Sequence, residues 1–201
     1  MPPDPSTEGD LLAQRDLVLI QRIQEGDLDA FRELVQTHQQ RVAGTIARMV
    51  GPGFDYSELA HEVFVRVWKS ASRYRPSARF TTWLMTLTRN LVLNEIRYRS
   101  RHATVSLDAP QSEEAGSPRD LPDFSAQGPD AVLQQVELEQ AIDRALQDLP
   151  ENQRTAVVLR RYQDLPYEEI AVVLETTVSS VKSLLFRART QLREALREFL
   201  D

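Results

Sequence analysis

The sequence of 201 residues has no cysteine, only 7 glycines and only three histidines. Without cysteine the chain can form no disulfide and offers no thiolate ligand to a metal. His38, His61 and His102 lie too far apart in the sequence to act as a ligand pair on one helix. We therefore predict no metal and no cofactor, and interpret the histidines as packed or solvated side chains.

Long apolar runs are missing as well. No stretch approaches the roughly 18 consecutive apolar residues of a membrane span, and the opening MPPDPSTEGD lacks the layout of a secretory signal. We expect a cytoplasmic protein without membrane insertion. Alternating β-branched runs are also scarce, while 41% of the residues are hydrophobic, so the composition favours an all-helical fold with an ordinary core.

Signs of catalysis are lacking too. The sequence has no glycine-rich phosphate loop and no nucleophile with a plausible base, and its acidic residues are scattered over helix surfaces or the polar segment near the middle. We therefore predict no catalytic residues and expect that the protein is not an enzyme.

The apolar periodicity predicts two small helical domains joined by a flexible acidic linker. Residues 1–15 are predicted to be a disordered tail, 16–102 the first domain and 137–201 the second. Residues 103–136 mix Pro, Gly, Ser and acids without a helical period over most of their length, and they are too long for an ordinary loop inside one domain.

Four helices are predicted in the first domain. The first covers Asp16 to Gln24, the second opens at Asp27 and stops at the glycines of 51–53, and the third runs from Glu58 to Ser72. A fourth is capped by Thr81 or Thr82. In it Trp83, Leu84, Leu87 and Leu91 face inward, while Thr86, Asn90, Leu93 and Arg97 lie on an outward face.

The second domain ends in a helix-turn-helix pattern. Ile170, Ala171 and Leu174 form the inner face of a short helix, and residues 175–177 form a turn. A longer helix follows, with Val178, Val181, Leu185, Ala188, Leu192 and Leu196 on its inner face. The pattern requires a small residue at Ala171, where the helices approach, and a branched apolar residue at Val181.

The outward face of the longer helix carries hydroxyls and cations that suit duplex DNA. Hydroxyls can donate to phosphates or base edges, and Lys and Arg can reach guanine in the major groove. The predicted DNA-binding residues are Ser179, Ser180, Lys182, Ser183, Phe186 and Arg187. The alternative is an amphipathic hairpin with a solvated basic face.

Positive charge is concentrated in the first domain, although the whole chain carries a net charge of −6. Residues 60–102 hold nine Lys and Arg against two Asp and Glu, interleaved with aromatic residues. Aromatic faces stack on unpaired bases while cations follow phosphates, so this segment suits single-stranded nucleic acid. Phe64 and Trp68, one helical turn apart and next to Val63 and Val67, are better explained as core residues.

Several segments together resemble the extracytoplasmic-function sigma factors, the minimal two-domain branch of the sigma-70 family. The matching segments are AFRELV, SELAHEVFVRVWKSASRY, ARFTTWLMTLTRNLVLNEIR and LPENQRTAVVLRRYQDLPYEEIAVVLETTVSSVKSLLFRARTQLREAL. They follow the family's order and spacing over roughly residues 16–102 and 137–199. The resemblance implies a transcription initiation factor that acts with core RNA polymerase.

For the first domain the resemblance implies sigma region 2, which binds the polymerase and recognises and opens the promoter −10 element. The implied polymerase-binding residues are Glu58, His61, Glu62 and Phe64. The implied contacts to single-stranded −10 DNA are Tyr74, Arg75, Ser77, Arg79, Phe80, Trp83, Thr86, Asn90 and Arg97.

For the second domain the resemblance implies sigma region 4, which binds the −35 element as duplex, and it implies an anti-sigma factor as a further partner. The sequence differs from the family at Leu184, where Arg is common, and at Glu175, a turn position where Gly is common. Two other hypotheses remain at this stage. One is a stand-alone DNA-binding regulator whose first domain senses or dimerises, and the other is a helical adaptor.

Overall fold

The computed structural model describes residues 5–51, 54–76, 78–102 and 129–199, and all regular structure in these ranges is helical. This confirms the predicted fold class. The α-helices are α1 Pro5–Gln24, α2 Leu28–Val50, α3 Tyr56–Ser70, α4 Phe80–His102, α5 Pro129–Gln147, α6 Glu151–Tyr162, α7 Tyr167–Val173 and α8 Val178–Ala195. Within the described ranges, none of these helices combines the length and apolar character needed to cross a membrane.

Helix α1 begins at Pro5, eleven residues before the predicted start at Asp16. The prediction of a disordered tail is therefore corrected for residues 5–15, and residues 1–4 lie outside the described ranges. Ion pairs to distant elements hold the early turns: Asp10 lies 3.0 Å from Arg79, and Arg15 lies 2.6 Å from Glu33. These partners are far along the chain, so apolar periodicity did not indicate them.

Helix α2 starts where its capping residue predicts. The carboxylate of Asp27 accepts hydrogen bonds from the backbone N–H groups of Asp29 and Ala30, at 2.9 and 3.0 Å. The Ala30 bond and the side-chain bond from Arg22 hold the pKa of Asp27 below its usual range. The helix ends at Val50, and its C-cap Gly51 has a φ of 74°, as the predicted glycine stop requires.

Helices α3 and α4 begin earlier than predicted. Asp55 caps α3 at Tyr56 by accepting from the N–H groups of Ser57 and Glu58. Helix α4 begins at Phe80, and Thr82 lies inside it with its side chain fully buried. Thr82 therefore does not cap the helix. Its hydroxyl donates a hydrogen bond to the carboxylate of Glu169 on α7 instead.

The C-terminal unit begins with α5 at Pro129, so the helix takes up the last residues of the predicted linker. Residues 103–128 lie outside the described ranges. Pro150 immediately precedes α6, where its fixed φ and missing N–H suit a helix start. The inner faces of α6, α7 and α8 bury Val158, Ile170 and Val181 completely.

Helices α5–α8 pack directly against α1–α4, and the buried side chains form one continuous cluster. Gln163 donates to the hydroxyl of Thr45 at 2.8 Å in a buried position. Arg154 donates to the backbone oxygen of Met49 at 2.7 Å, and desolvation lowers the pKa of its guanidinium. The guanidinium of Arg48 stacks 4.0 Å from the ring centre of Tyr162. Polar contacts thus join the two sets of helices.

Candidate nucleic-acid interface

Helices α7 and α8 form the predicted helix-turn-helix. Ala171 and Val181, the two positions singled out for helix approach, are 7% and 0% exposed. Glu175 turns the chain with a φ of 53°, a conformation that costs a non-glycine residue about 1–2 kcal/mol. Thr177 then caps α8 by accepting a hydrogen bond from the backbone N–H of Ser180 at 3.2 Å.

The outward face of α8 is arranged as the sequence predicts. A shallow depression of about 530 Å³ is lined by Ser179, Lys182, Ser183, Phe186 and Arg187. Phe186 is 72% exposed although it is aromatic, while Ser180 is half-buried at the start of the helix. Cations, hydroxyls and one apolar ring thus share an accessible surface, which is the chemistry that phosphates, base edges and thymine methyl groups require.

The loop that precedes α4 presents cations to solvent, and its aromatic rings point inward. Arg75 and Arg79 are exposed, whereas Tyr74 and Phe80 are 4% and 1% exposed. Their rings pack on each other and on half-buried Trp83, with centroid distances of 5.1–6.1 Å. The expectation that Tyr74 and Phe80 offer stacking faces to bases is corrected for this arrangement, because both rings complete the core. Ser77 lies outside the described ranges.

Along α4 the predicted outward face is only partly correct. Thr86 and Asn90 are half-buried and Arg97 is exposed, but Leu93 is 3% exposed and belongs to the interior. Asn90 accepts a hydrogen bond from Arg89 at 3.3 Å through its side-chain oxygen. The face available for a ligand therefore runs from the loop through Asn90 and Arg97.

A contact that the sequence did not indicate lies at the start of α4. Glu169 of α7 accepts a hydrogen bond from the hydroxyl of Thr82, and its carboxylate lies 3.7 Å from Arg79. Arg79 also donates to Asp10 at 3.0 Å. One of the candidate DNA-binding arginines is thus shared between α1 and the helix-turn-helix.

The candidate polymerase-binding residues lie on α3. Glu58, His61 and Glu62 are exposed, and Glu62 forms an ion pair with Arg66 at 2.6 Å. Phe64 is 6% exposed, so its ring is mostly packed. His61 and Phe64 both line a groove of about 2220 Å³ between α2, α3 and α5. Phe31 and Trp68 form part of its apolar floor, with ring centroids 5.1 Å apart.

Comparison with known proteins places both helical units in one family. Residues 34–102 match the family described as Sigma-70 region 2, and residues 139–192 match Sigma-70, region 4. The RNA polymerase sigma-H factor of Pseudomonas aeruginosa is 32% identical over 191 residues, which cover 94% of this chain and 98% of that protein. The chain belongs to the sigma-70 family.

A second curated relative agrees with this assignment, and two solved structures share the fold. The ECF (extracytoplasmic-function) RNA polymerase sigma-E factor of Escherichia coli K12 is 34% identical over 175 residues, covering 87% of this chain and 90% of that one. The chain therefore belongs to the extracytoplasmic-function branch of the family. The fold is similar to CnrH in its complex with the cytosolic domain of CnrY, with a TM-score of 0.66 and 22% identity over 92% of this chain and 98% of the other. It is also similar to the sigma factor RpoE of Bartonella quintana, solved with the anti-sigma factor NepR, with a TM-score of 0.67 and 19% identity over 85% and 98% of the two chains.

The family boundaries agree with the arrangement of helices in this sigma factor. Region 2 begins within α2 and ends with α4 at His102, and region 4 extends from α5 into α8. The candidate contacts to polymerase and to single-stranded DNA therefore all lie in region 2. The candidate contacts to duplex DNA all lie in region 4.

Proposed function

We propose that this sigma factor directs core RNA polymerase to promoters by binding the −35 element as duplex and opening the −10 element. The observation that carries the proposal is the exposed face of α8, held at a fixed angle by α7 and the Glu175 turn. Such a helix fits the major groove, which α-helices enter and where each base pair has its own donor and acceptor pattern.

At the −35 element, α8 divides positioning from base recognition. Ser183 donates to the backbone oxygen of Ser179 at 3.1 Å, so its hydroxyl oxygen remains an acceptor, while Lys182 and Arg187 are exposed cations. Arg187 can donate two hydrogen bonds to guanine, and the ring of Phe186 suits a thymine methyl group. Ser179 and Ser180, near the start of α8, are placed to approach phosphates.

At the −10 element, the loop before α4 and the Asn90 face hold the displaced strand. Extruding a base costs a few kcal/mol, which phosphate neutralisation by Arg75, Arg79 and Arg97 helps to offset. Asn90 supplies an amide that can bond to a base edge. In this role the loop is supported by the packed rings on its inner side, those of Tyr74, Phe80 and Trp83. Thr86 lies on the same side of α4 as Asn90.

Promoter binding also requires the two helical units to separate near the start of α4. Glu169 engages Thr82 and Arg79 in the described arrangement, so the helix-turn-helix covers part of the surface proposed for −10 DNA. Separation takes Glu169 away from Arg79, whose ion pair with exposed Asp10 of α1 a phosphate can replace. It also frees α7 and α8 to reach a duplex element upstream.

The partners beyond DNA are core RNA polymerase and an anti-sigma factor. We assign the polymerase contact to Glu58, His61, Glu62 and the edge of Phe64 on α3, because three of these side chains are exposed and two line the large groove. The same groove, with apolar Phe31 and Trp68, suits the apolar face of a helix. An anti-sigma helix in the groove would compete with polymerase.

A transcription assay with purified core polymerase tests the proposal. Asn90→Ala should reduce transcription from a duplex promoter and recover most activity on a template already mismatched at −10. Asn152→Ala, which removes the same side chain from an exposed position on α6, serves as the matched control. Equal losses on both templates would argue against a role for Asn90 in strand opening. Duplex binding without any transcription in the presence of core enzyme would contradict the whole proposal.

A further inference from the structure

Asp16 of α1 and His38 of α2 form a fully buried polar pair inside the N-terminal unit. Asp16 Oδ1 lies 2.8 Å from His38 Nε2, and both side chains are 1% exposed. The second carboxylate oxygen of Asp16 is buried and has no protein partner among the described residues. Large apolar side chains, including Ile20, Leu34 and Phe80, are also fully buried in this part of the core.

Such a pair is a poor means of gaining stability. Removing a carboxylate from water is costly, and buried ion pairs can often be replaced by apolar residues of similar volume without loss of stability. A buried pair instead fixes the orientation of its side chains, since a hydrogen bond holds them at one distance and angle. This fixed geometry is passed to the side chains that pack against the pair.

The pair packs against an aromatic group formed by Tyr74, Phe80 and Trp83. This group lies under the loop that precedes α4, residues 74–79, which we call the −10 loop. The His38 ring lies 5.4 Å from the ring of Phe80, the first residue of α4. Phe80 packs on Tyr74 and on Trp83, so the His38 ring contacts one end of the loop directly and reaches the other end, Tyr74, through Phe80. The carboxylate of Asp16 also acts on Tyr74. Burial of the phenol, and secondly this negative charge, raise the pKa of Tyr74.

The loop is tied to this aromatic group by hydrogen bonds. The hydroxyl of Tyr74 donates to the backbone oxygen of Ala78 at 3.0 Å and closes the loop upon itself. Gln24 of α1 donates to the backbone oxygen of Ala71 at 2.9 Å, just before the loop begins. A shift of the Phe80 and Tyr74 rings would therefore move the backbone that carries Arg75 and Arg79.

We propose that Asp16 and His38 are positioning residues for the −10 loop: through Phe80 and Tyr74 they hold it in the geometry that receives single-stranded promoter DNA. This inference rests on the proposed function of the loop. Neither residue touches DNA, and both act through the aromatic rings.

The decisive variant replaces the pair by apolar residues, Asp16→Leu with His38→Leu. We expect it to fold with a melting temperature close to that of the parent protein. As holoenzyme with core polymerase, it should bind a single-stranded −10 oligonucleotide about tenfold more weakly, equivalent to about 1.4 kcal/mol. Binding of a −35 duplex should be unchanged. His38→Gln, whose amide can still donate to Asp16, should recover part of the lost affinity.

Thr88→Val is the matched control. It replaces another fully buried polar side chain, on α4 itself, whose hydroxyl donates to the backbone oxygen of Leu84 in the same helix. It should leave −10 binding unchanged. A double-leucine variant that binds the −10 oligonucleotide like the parent would overturn the proposal. A variant that fails to fold would also overturn it, because the pair would then be a stability element.

Fluorescence separates this inference from the proposed function. The chain has two tryptophans, and in a Trp68→Phe background the emission reports on Trp83, which packs 5.1 Å from Tyr74. The double-leucine change should shift the emission of Trp83 in the free protein, and Thr88→Val should not. If the parent holoenzyme does not bind −10 DNA, the proposed function fails, while an unshifted Trp83 emission would count against the positioning role itself.

Discussion

The carboxylate of Glu169 on α7 accepts a hydrogen bond from the hydroxyl of Thr82 on α4. Thr82 is fully buried, and the side chain of Glu169 retains 18% exposure. The bond spans 87 residues of sequence and joins region 4 to the surface of region 2 that we propose binds −10 DNA. If that surface binds −10 DNA as we propose, DNA and α7 compete for the start of α4.

We call the arrangement in which α7 packs on the start of α4 the closed arrangement. Glu169→Ala should destabilise it by about 1.5–3 kcal/mol, the usual contribution of a hydrogen bond to a charged group. Because the chain has no cysteine, dyes can be attached at Gln39→Cys and Thr190→Cys, two exposed positions on α2 and α8. Energy transfer between the dyes should fall in Glu169→Ala. Glu168→Ala removes the same charge from an exposed neighbour on α7, and equal transfer in the two variants would refute the role of Glu169.

A second link between the units is the buried bond from Gln163 to Thr45. The Thr45 hydroxyl donates to the backbone oxygen of Arg41 and accepts from the side-chain amide of Gln163, both at 2.8 Å. Thr45→Val should lower the free energy of unfolding by about 1–3 kcal/mol, because it leaves a buried amide unpaired. In urea denaturation, the double variant with Gln163→Leu should lose less than the sum of the single losses. Strict additivity would mean that the two residues are not coupled.

Two glycines with positive φ offer a matched test of the contact between α5 and the end of α2. A Cβ on Gly51 would lie 2.8 Å from the side chain of Gln147, whereas a Cβ on Gly26 would meet nothing within 4 Å. Gly26→Ala should cost about 1–2 kcal/mol for its backbone conformation alone. Gly51→Ala should cost more, because its φ of 74° and ψ of −170° lie in a region that is essentially restricted to glycine, and overpacking adds about 1 kcal/mol. Thermal unfolding compares them, and a smaller loss for Gly51→Ala would show that Gln147 does not pack there.

The helix-turn-helix could be predicted in detail from the sequence because its contacts are local. Ala171 and Val181 are ten residues apart, and the periodicity of each helix fixes which side chains face the other. Phe186 and Arg187 follow as outward residues from the same periodicity. The structure changed only the bounds of these helices, by one or two residues.

Contacts between distant segments could not be predicted in this way. Periodicity marks Tyr74 and Phe80 only as aromatic residues beside a loop, and whether they stack on bases or on each other depends on how α1 and α2 close beneath them. The Asp16 and His38 pair illustrates the same limit, since two polar residues on different helices carry no periodic signal. Glu169 was not indicated because its partner lies across the boundary between the units.

The phenol of Tyr74 should make the protein sensitive to alkaline pH. Burial, and secondly the charge of Asp16, raises the pKa of Tyr74 above its ordinary value, which is about 10 in the unfolded chain. The folded state therefore holds the proton more tightly, and this contribution to stability is present below about pH 10 and lost as the pH rises through the folded pKa.

Tyr74→Phe separates this effect from the hydrogen bond to Ala78. At neutral pH the variant should lose about 1 kcal/mol with that bond, yet its stability should fall less steeply as the pH rises above about 10. Denaturant titrations at each pH measure the difference. Tyr98→Phe, at an exposed position on α4, should keep the slope of the parent. Parallel slopes for parent and Tyr74→Phe would mean that the phenol titrates normally.

Substitution of Arg187 on α8 distinguishes recognition of a base from charge attraction to phosphate. If its guanidinium donates to a guanine, Arg187→Ala should weaken −35 binding by about 1–3 kcal/mol and relax the preference at one base pair. If it touches only phosphate, the loss should be nearly equal for all sequences, and the salt dependence of binding should decrease. Arg193→Ala, exposed further along the same helix, controls for net charge. A base-specific loss in Arg193→Ala, with none in Arg187→Ala, would place the recognition surface nearer the C-terminal end of α8 and contradict the orientation proposed from Ser179 to Arg187.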